Sequence, residues 1–307
     1  MNTAFITHPF CARHDHGAGH PECAARLAAI EDELIASGLM DHLQRQDARP
    51  VTQEQLLRAH DESLQRWIAD QSPATGLVHL GDDITLNPWS LRAAELAAGA
   101  VVQAVDGVIG GDFANAFCSV RPPGHHASRA HASGFCIFNN VAVGALHALE
   151  RHGLERVAIC DFDVHHGNGT EAIFHEDGRV LLCSSFQHPF YPFSGADSGN
   201  AHIVPTPLPA WSAGDAARQV IEAVWLPALE AFEPQMLFIS AGFDAHREDD
   251  MAMLGWREAD YAWITAQLKQ VADRHCGGRM VSTLEGGYAL GALGRSVAAH
   301  VRVLAGL

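Results

Sequence analysis

Val157-Ala158-Ile159-Cys160-Asp161-Phe162-Asp163-Val164-His165-His166-Gly167-Asn168-Gly169-Thr170 runs from an apolar stretch of strand length straight into carboxylates and imidazoles. A parallel strand buried on both faces reads as a continuous apolar run, and open α/β sheets place their sites at the carboxyl ends of such strands. Strand side chains alternate, so Asp161, Asp163 and His165 aim to one side. Two carboxylates and one imidazole converging there form a candidate metal site. Gly167-Asn168-Gly169 reads as a turn that frees the chain to start another helix. A lone Asp or His after a strand ordinarily caps a helix or sits solvated in a loop. Four ionisable groups within residues 161–166, beside a buried strand, instead carry a large desolvation cost unless they are paired or metal-bound.

Working outward, short apolar strand candidates are Ala4–Thr7, Ala114–Val120, Arg156–Asp161, Val180–Ser184, Gln235–Ser240 and Arg279–Leu284. Between them lie helix patterns at Glu22–Ser37, Ser90–Ile109, Asn140–His152, Ser212–Phe232, Glu258–Arg274 and Leu290–Leu304. This alternation predicts an α/β chain with a mainly parallel central sheet and helices on both faces. No linker or repeat interrupts it, so a single domain over residues 1–307 is expected. Gln187–Pro209, rich in Pro, Gly and aromatics, reads as a long functional loop.

Composition bounds the function. With 48% apolar residues and no low-complexity tract the chain is globular. A net charge of −16 argues against duplex DNA and anionic membranes, and is compatible with a cationic small molecule or basic peptide. Seven cysteines without a Cys-x-x-Cys pair point to free thiols in a reducing compartment, and a cytoplasmic location is expected. No apolar stretch reads as a membrane span. Oligomeric state stays open, a homo-oligomer being compatible.

Three more segments follow strand candidates: Arg121-Pro122-Pro123-Gly124-His125-His126-Ala127, Ala241-Gly242-Phe243-Asp244-Ala245-His246 and Glu285-Gly286-Gly287-Tyr288. In a parallel sheet these strand ends lie along one edge, so the segments should meet in one cleft. A metal hydrolase needs fixed ligands and an open position. Asp163, His165 and Asp244 suit zinc and would also hold iron(II), manganese or cobalt. It also needs a base near neutral pH, for which His125 and His126 qualify, and groups that orient an imidazole through its second nitrogen, for which Asp161 and Asn168 are available. A phenol on a Gly-Gly stem, Tyr288, can donate to a developing oxyanion. Singly, each has a duller explanation: a rim aromatic, a loop pair, a helix cap. On one sheet edge those explanations would all have to hold at once.

The chain resembles the histone deacetylase superfamily of the arginase–deacetylase fold, in its bacterial, class II-like branch of amidohydrolases that includes acetylpolyamine amidohydrolases. The matching motifs are His20-Pro21-Glu22 with Arg26, Arg121 to Ala127, Gly134-Phe135-Cys136-Ile137-Phe138-Asn139-Asn140, Asp161 to Thr170, Gly242 to His246 and Glu285 to Tyr288. The resemblance implies a sheet of about eight strands. It further implies zinc held by Asp163, His165 and Asp244, His126 as general base and then acid, and His125 paired to Asp161 in electrostatic support. Asn168 would orient His126; with Pro122-Pro123 it marks the class II-like branch. Tyr288 would serve the oxyanion, and Gly134, Phe135 and Tyr191 would line a tunnel for the stem of a lysine-like chain. Potassium would be bound by Asp161, Asp163, His165, Ser184 and Ser185, and Arg26 would face an acetate-exit channel. The implied substrates are acyl-lysine in proteins or peptides, or acetylpolyamines.

Four positions depart from the family pattern. Phe186 stands where His is usual, and Phe193 where a Tyr-Pro-Gly loop has Gly, which could narrow the tunnel mouth or redirect the loop. Asp83-Ile84 replaces Asp-Thr, with Asp83 able to contact substrate or to sit as a turn residue. Asp249-Asp250-Met251 replaces Asp-Pro-Leu. Of the 20 histidines, His14, His16, His131, His188 and His202 are expected at the surface or in loops, His166 on the opposite face from His165, and His246 behind the site. Two rivals remain. A dinuclear manganese ureohydrolase of the same fold wants Asp-x-His-x-Asp, whereas the order here is Asp161-x-Asp163-x-His165. A silent binding scaffold has no need of the retained acid–base pair.

Overall fold

The structure is a computed structural model that describes residues 2–307. In chain order its elements are β1 (Thr3–Thr7), α1 (Ala25–Ala36), β2 (Leu43–Asp47), α2 (Gln53–Ala59), α3 (Glu62–Gln71), β3 (Val78–Gly81), β4 (Ile84–Leu86), α4 (Ser90–Gly110), β5 (Asn115–Cys118) and α5 (Asn140–His152). There follow β6 (Val157–Asp161), α6 (Asn168–Phe174), β7 (Val180–Gln187), β8 (Ile203–Leu208), α7 (Gly214–Val220), α8 (Leu226–Phe232), β9 (Leu237–Ala241), α9 (Glu258–His275), β10 (Met280–Leu284) and α10 (Leu290–Ala305). Eight strands make one sheet in the order β2-β1-β5-β10-β9-β6-β7-β8, and every neighbouring pair is parallel. The expected α/β architecture is observed.

Alternation along the strands feeds two cores. Ala4, Ile6 and Ile159 pack with α4 and α5 on one face, while Phe5, Ala158 and Cys160 pack with α9 and α10 on the other. Each fully buried Val, Leu, Ile or Phe contributes about 1.5–3 kcal/mol, so both faces hold the sheet firmly.

Several expectations need correction. Gln187–Pro209 contains a strand, β8, at the sheet edge. Its Pro205 and Pro207 lack N–H donors, which an edge strand tolerates because one side has no partner. β2 (Leu-Gln-Arg-Gln-Asp) is too polar to read as a strand and forms the other edge. The helix expected at Ser212–Phe232 starts at Gly214 and passes through a π-helical turn at Ile221–Trp225 just before Pro227, which cannot donate an i→i−4 bond. Among the described residues α4 is long and apolar enough to span a membrane, contrary to the sequence reading, yet it lies mostly buried as a core helix rich in Ala and Val. His14 and His16 are buried, not at the surface.

Candidate active site

The four strands that carry the motifs, β5, β10, β9 and β6, are contiguous in the sheet centre and parallel, so their carboxyl ends meet. There Asp163, His165 and Asp244 bring ligand atoms within 4.8 Å of one another, all buried. His165 Nδ1 lies 2.9 Å from Asp163 Oδ1 and 3.3 Å from Asp244 Oδ2. Backbone donors aim both carboxylates: Gly286 N–H to Asp163 Oδ2 (2.8 Å), His165 N–H to Asp163 Oδ1 (2.8 Å) and Val164 N–H to Asp244 Oδ1 (2.9 Å). Asp244 Oδ2 is buried without a hydrogen bond. A Cβ at Gly286 would stand 2.0 Å from that oxygen, and one at Gly242 2.1 Å from Asp163 Oδ2, so both turns must be glycine for the carboxylates to fit.

The electrostatics match a cation site. Burial and the neighbouring Asp163 raise the Asp244 carboxyl to about 6. Burial opposes charge on His165, but Asp163 and Asp244 outweigh it and raise that imidazole to about 9. For Asp163, burial is outweighed by His125 and His165, which hold it below its ordinary range. Two carboxylates this close call for positive charge, and a divalent cation can replace the protons that otherwise supply it. The donor set, the open oxygen and the glycine cradle fit a metal ion.

Two histidines face this cluster with different supports. His125 Nδ1 meets Asp161 Oδ2 at 2.9 Å; His126 Nδ1 meets Asn168 Oδ1 at 2.7 Å; their rings are 4.0 Å apart. An amide oxygen only accepts, so His126 carries its proton on Nδ1 and leaves Nε2 free. Burial lowers the His126 pKa well below the usual value, and His125 and His165 add to this. For His125 burial is outweighed by Asp161 and Asp163, which raise its pKa well above the usual value. Neighbouring groups pushed apart in this way mark acid–base assignments. Glu285 steadies the pair by accepting the N–H groups of Gly124 (2.6 Å) and His125 (3.1 Å).

A cavity of about 190 Å³ opens over the cluster, lined by Asp83, His125, His126, Gly134, Phe135, His165, Tyr191 and Tyr288, with Pro123, Phe190, Met251 and Gly286. A larger hollow of about 430 Å³ by Trp67 and Leu80 holds none of the converging groups. Phe190 stacks on His165 at 5.5 Å and Tyr191 sets its edge on His126 at 5.1 Å. Asp83 reaches the cavity from the β3–β4 hairpin tip, where its φ is +58°. Burial, and then the nearby Asp244, raise the Tyr288 phenol well above its usual pKa, so it stays protonated as a donor.

Other sequence-selected residues fall as follows. Arg26 is buried and donates to the carbonyls of Gly287 (2.6 Å) and Glu285 (2.5 Å), bonds Glu22 at 3.0 Å, and lies 4.9 Å from the Tyr288 ring. Ser184 pairs with Asp161 in register and meets His166 Nδ1 at 3.0 Å, while Ser185 Oγ is buried and unpartnered. His166 also meets Glu171 at 2.6 Å, away from the metal donors, and Phe186 packs on it at 4.6 Å. His246 Nε2 lies 3.5 Å from Glu258 Oε2. Phe193 is 76% exposed and absent from the cavity wall; it keeps the left-handed backbone of the glycine it replaces (φ +61°) and does not narrow the tunnel. Sequence reasoning assigned no role to Phe190, Met251, Glu285 or Asp249. Glu285, Asp249 and Met251 stand inside quoted motifs and gave a signal; Phe190 gave none.

The parallel sheet carries these donors at the carboxyl ends of its central strands, where the resemblance to the histone deacetylase superfamily expects them. Residues 20–304 match the histone deacetylase domain, and the chain belongs to that family. It is 40% identical over 279 residues to a histone deacetylase-like amidohydrolase of Pseudomonas aeruginosa, covering 88% of this chain and 73% of the other. With a probable deacetylase of Archaeoglobus fulgidus it shares 34% over 298 residues, covering 94% and 82%. The solved structure of the HDA15 HD domain matches with a TM-score of 0.92 at 35% identity, over 99% of this chain and 88% of that one.

Proposed function

We propose that the whole chain is one catalytic domain that hydrolyses the N-acetyl or N-acyl amide of lysine-like amines, in peptides or acetylpolyamines, to amine and carboxylate. What carries the reading is the meeting of His126, Tyr288 and the His165 metal donors in one narrow cavity. Asp163, His165 and Asp244 would hold zinc, or iron(II), manganese or cobalt, which when bound lowers the pKa of water to about 7 and polarises a carbonyl. Asp161, Asp163, His165, Ser184 and Ser185 would hold a structural potassium ion.

His126, with Nδ1 tied to Asn168, takes a proton from the attacking water at Nε2 and returns it to the leaving nitrogen. His125, charged through Asp161, offsets the negative charge that develops beside it. Tyr288 donates its hydroxyl proton in a hydrogen bond to the tetrahedral oxyanion. Phe135, Tyr191 and Phe190 enclose the apolar stem and exclude water, while Asp83 at the rim offers a carboxylate to the substrate amine or backbone. Arg26 fixes the carbonyls before Tyr288 and faces the route by which acetate leaves. The free thiols suit a reducing, cytoplasmic setting.

The metal-loaded protein should cleave fluorogenic acetyl- or trifluoroacetyl-lysine amides, with inhibition by a chelating hydroxamate. A panel of acyl-lysine peptides against acetylpolyamines separates the two substrate kinds. No turnover of any of them, with zinc bound, overturns the reading.

A further inference from the structure

The loop after β9 supplies Asp244 and then, five residues on, a second buried carboxylate, Asp249, which is 5% exposed. Asp249 Oδ2 accepts the backbone N–H of Tyr288 at 2.6 Å and of Ala289 at 2.9 Å. Its Oδ1 accepts the N–H of Met251 at 3.0 Å, and Met251 lines the substrate cavity. The stem before Tyr288 cannot hold itself: Gly287 has φ +117° and no side chain to pack. Leu293 and Phe243 pack against Gly287, but beside Tyr288 a hollow of about 400 Å³ opens, lined by Pro21, Glu248, Met251 and Tyr288. Arg26 grips the carbonyls of Glu285 and Gly287 and Asp163 takes the Gly286 N–H, leaving the N–H groups of Tyr288 and Ala289 to Asp249.

We propose that Asp249 is a positioning residue that fixes where the Tyr288 hydroxyl stands and ties it to the tunnel wall at Met251. This rests on the deacylase reading of Tyr288. The phenol oxygen stands at the far end of a long side chain, so a slight turn of the backbone displaces it. Misplacement of a reacting group by about 1 Å can cost on the order of 10²-fold in rate. A substrate stem that presses on Met251 acts on the same carboxylate that holds the oxyanion donor, so filling the tunnel and placing the donor are one event. The duller role is a remote cap for α10, since Ala289 is its N-cap. That role predicts lost stability with unchanged turnover per folded molecule.

The test uses the full, metal-loaded chain with an acetyl-lysine fluorogenic substrate and the variants Asp249→Asn, Tyr288→Phe and both together. Asp249→Asn should lower kcat about 10- to 100-fold, leave KM within about threefold, and keep the wild-type metal content. In the Tyr288→Phe background the same change should cost less than about threefold, because the group it positions is already gone. Equal losses in both backgrounds, or a lower melting temperature with unchanged kcat, overturn the proposal. A wild type without turnover, or a Tyr288→Phe variant without loss, brings down the reaction reading and the positioning role with it. Should Asp249→Asn fail to fold, hydrogen exchange of the wild type decides: slow exchange at the Tyr288 and Ala289 amides is expected, and free exchange at both rules the clamp out.

Discussion

Asp163, His165 and Asp244 make one triad of buried donors, and His14, His16 and Glu22 make another, each with its ligand atoms within 4.8 Å of one another. In the second, His14 and His16 meet Nε2 to Nε2 at 2.9 Å, and Glu22 Oε2 lies 3.3 Å from His16 Nε2. The difference is in the surroundings of the carboxylate. Arg121 binds both oxygens of Glu22, and Arg26 binds one of them, with all three side chains fully buried. Guanidinium does not give up its proton, so that charge is already met. Asp244 keeps an oxygen without a hydrogen bond, and its cationic neighbour is an imidazole that can lose its proton to solvent when a metal takes its place. A third group, Asp106, His147 and His152, is also closed: Arg58 donates to His147 Nδ1 and leaves Nε2–H for Asp106. Donor types at close range do not make a metal centre; unmet negative charge does.

The contrast can be broken most directly at Asp244. Asp244→Asn should abolish bound zinc, measured by elemental analysis, and reduce turnover to background. His16→Asn should leave the zinc content as in the wild type; loss of zinc there would erase the distinction. Within the open triad's cavity, His126→Ala should lower kcat about 10²- to 10⁴-fold and Tyr288→Phe about 10²- to 10³-fold, both with metal retained. Metal loss in step with activity would deny them separate roles.

The closed triad should speak through stability. Glu22→Gln leaves two buried guanidiniums uncompensated, and a cost of about 3–5 kcal/mol is expected in urea unfolding. A more gradual effect comes from pH. Burial lowers His14 to about 3, with Glu22 opposing, and burial lowers His300 to about 3. The unfolded chain binds protons at these sites near pH 6.5 and the folded chain does not. Stability is therefore complete above about pH 6.5 and falls as pH drops toward 3, by about 1.4 kcal/mol per unit for each histidine. His300 bonds Thr265 at 2.6 Å and Ser282 at 2.9 Å, remote from the chemistry. His300→Gln should remove one proton's worth of that slope, and an unchanged slope would show that His300 is charged when folded.

The central strands were legible because burial on both faces writes an unbroken apolar run, as in Val157–Asp161. The two edges were not: β2 is polar, and β8 carries two prolines, because an edge is asked for less. The convergence of the candidate residues was readable from residue type at strand ends, since carboxylates and imidazoles there are costly without a purpose. The closed triad was not, because its balance depends on Arg121, which lies 99 residues from Glu22. Phe193 misled for a local reason: its backbone is glycine-like, but its ring turns to solvent.

The strand order also bears on how the chain can be made. Strand β10, which follows every other strand in the chain, inserts between β5 and β9 near the middle of the sheet. Until residues 280–284 emerge, the nascent chain holds two half-sheets with raw edges facing one another and no Tyr288. Such edges invite wrong pairing. Completion of the sheet and completion of the active site are thus the same late event, and a chain that stalls short of it should be a substrate for chaperones rather than a partly active enzyme.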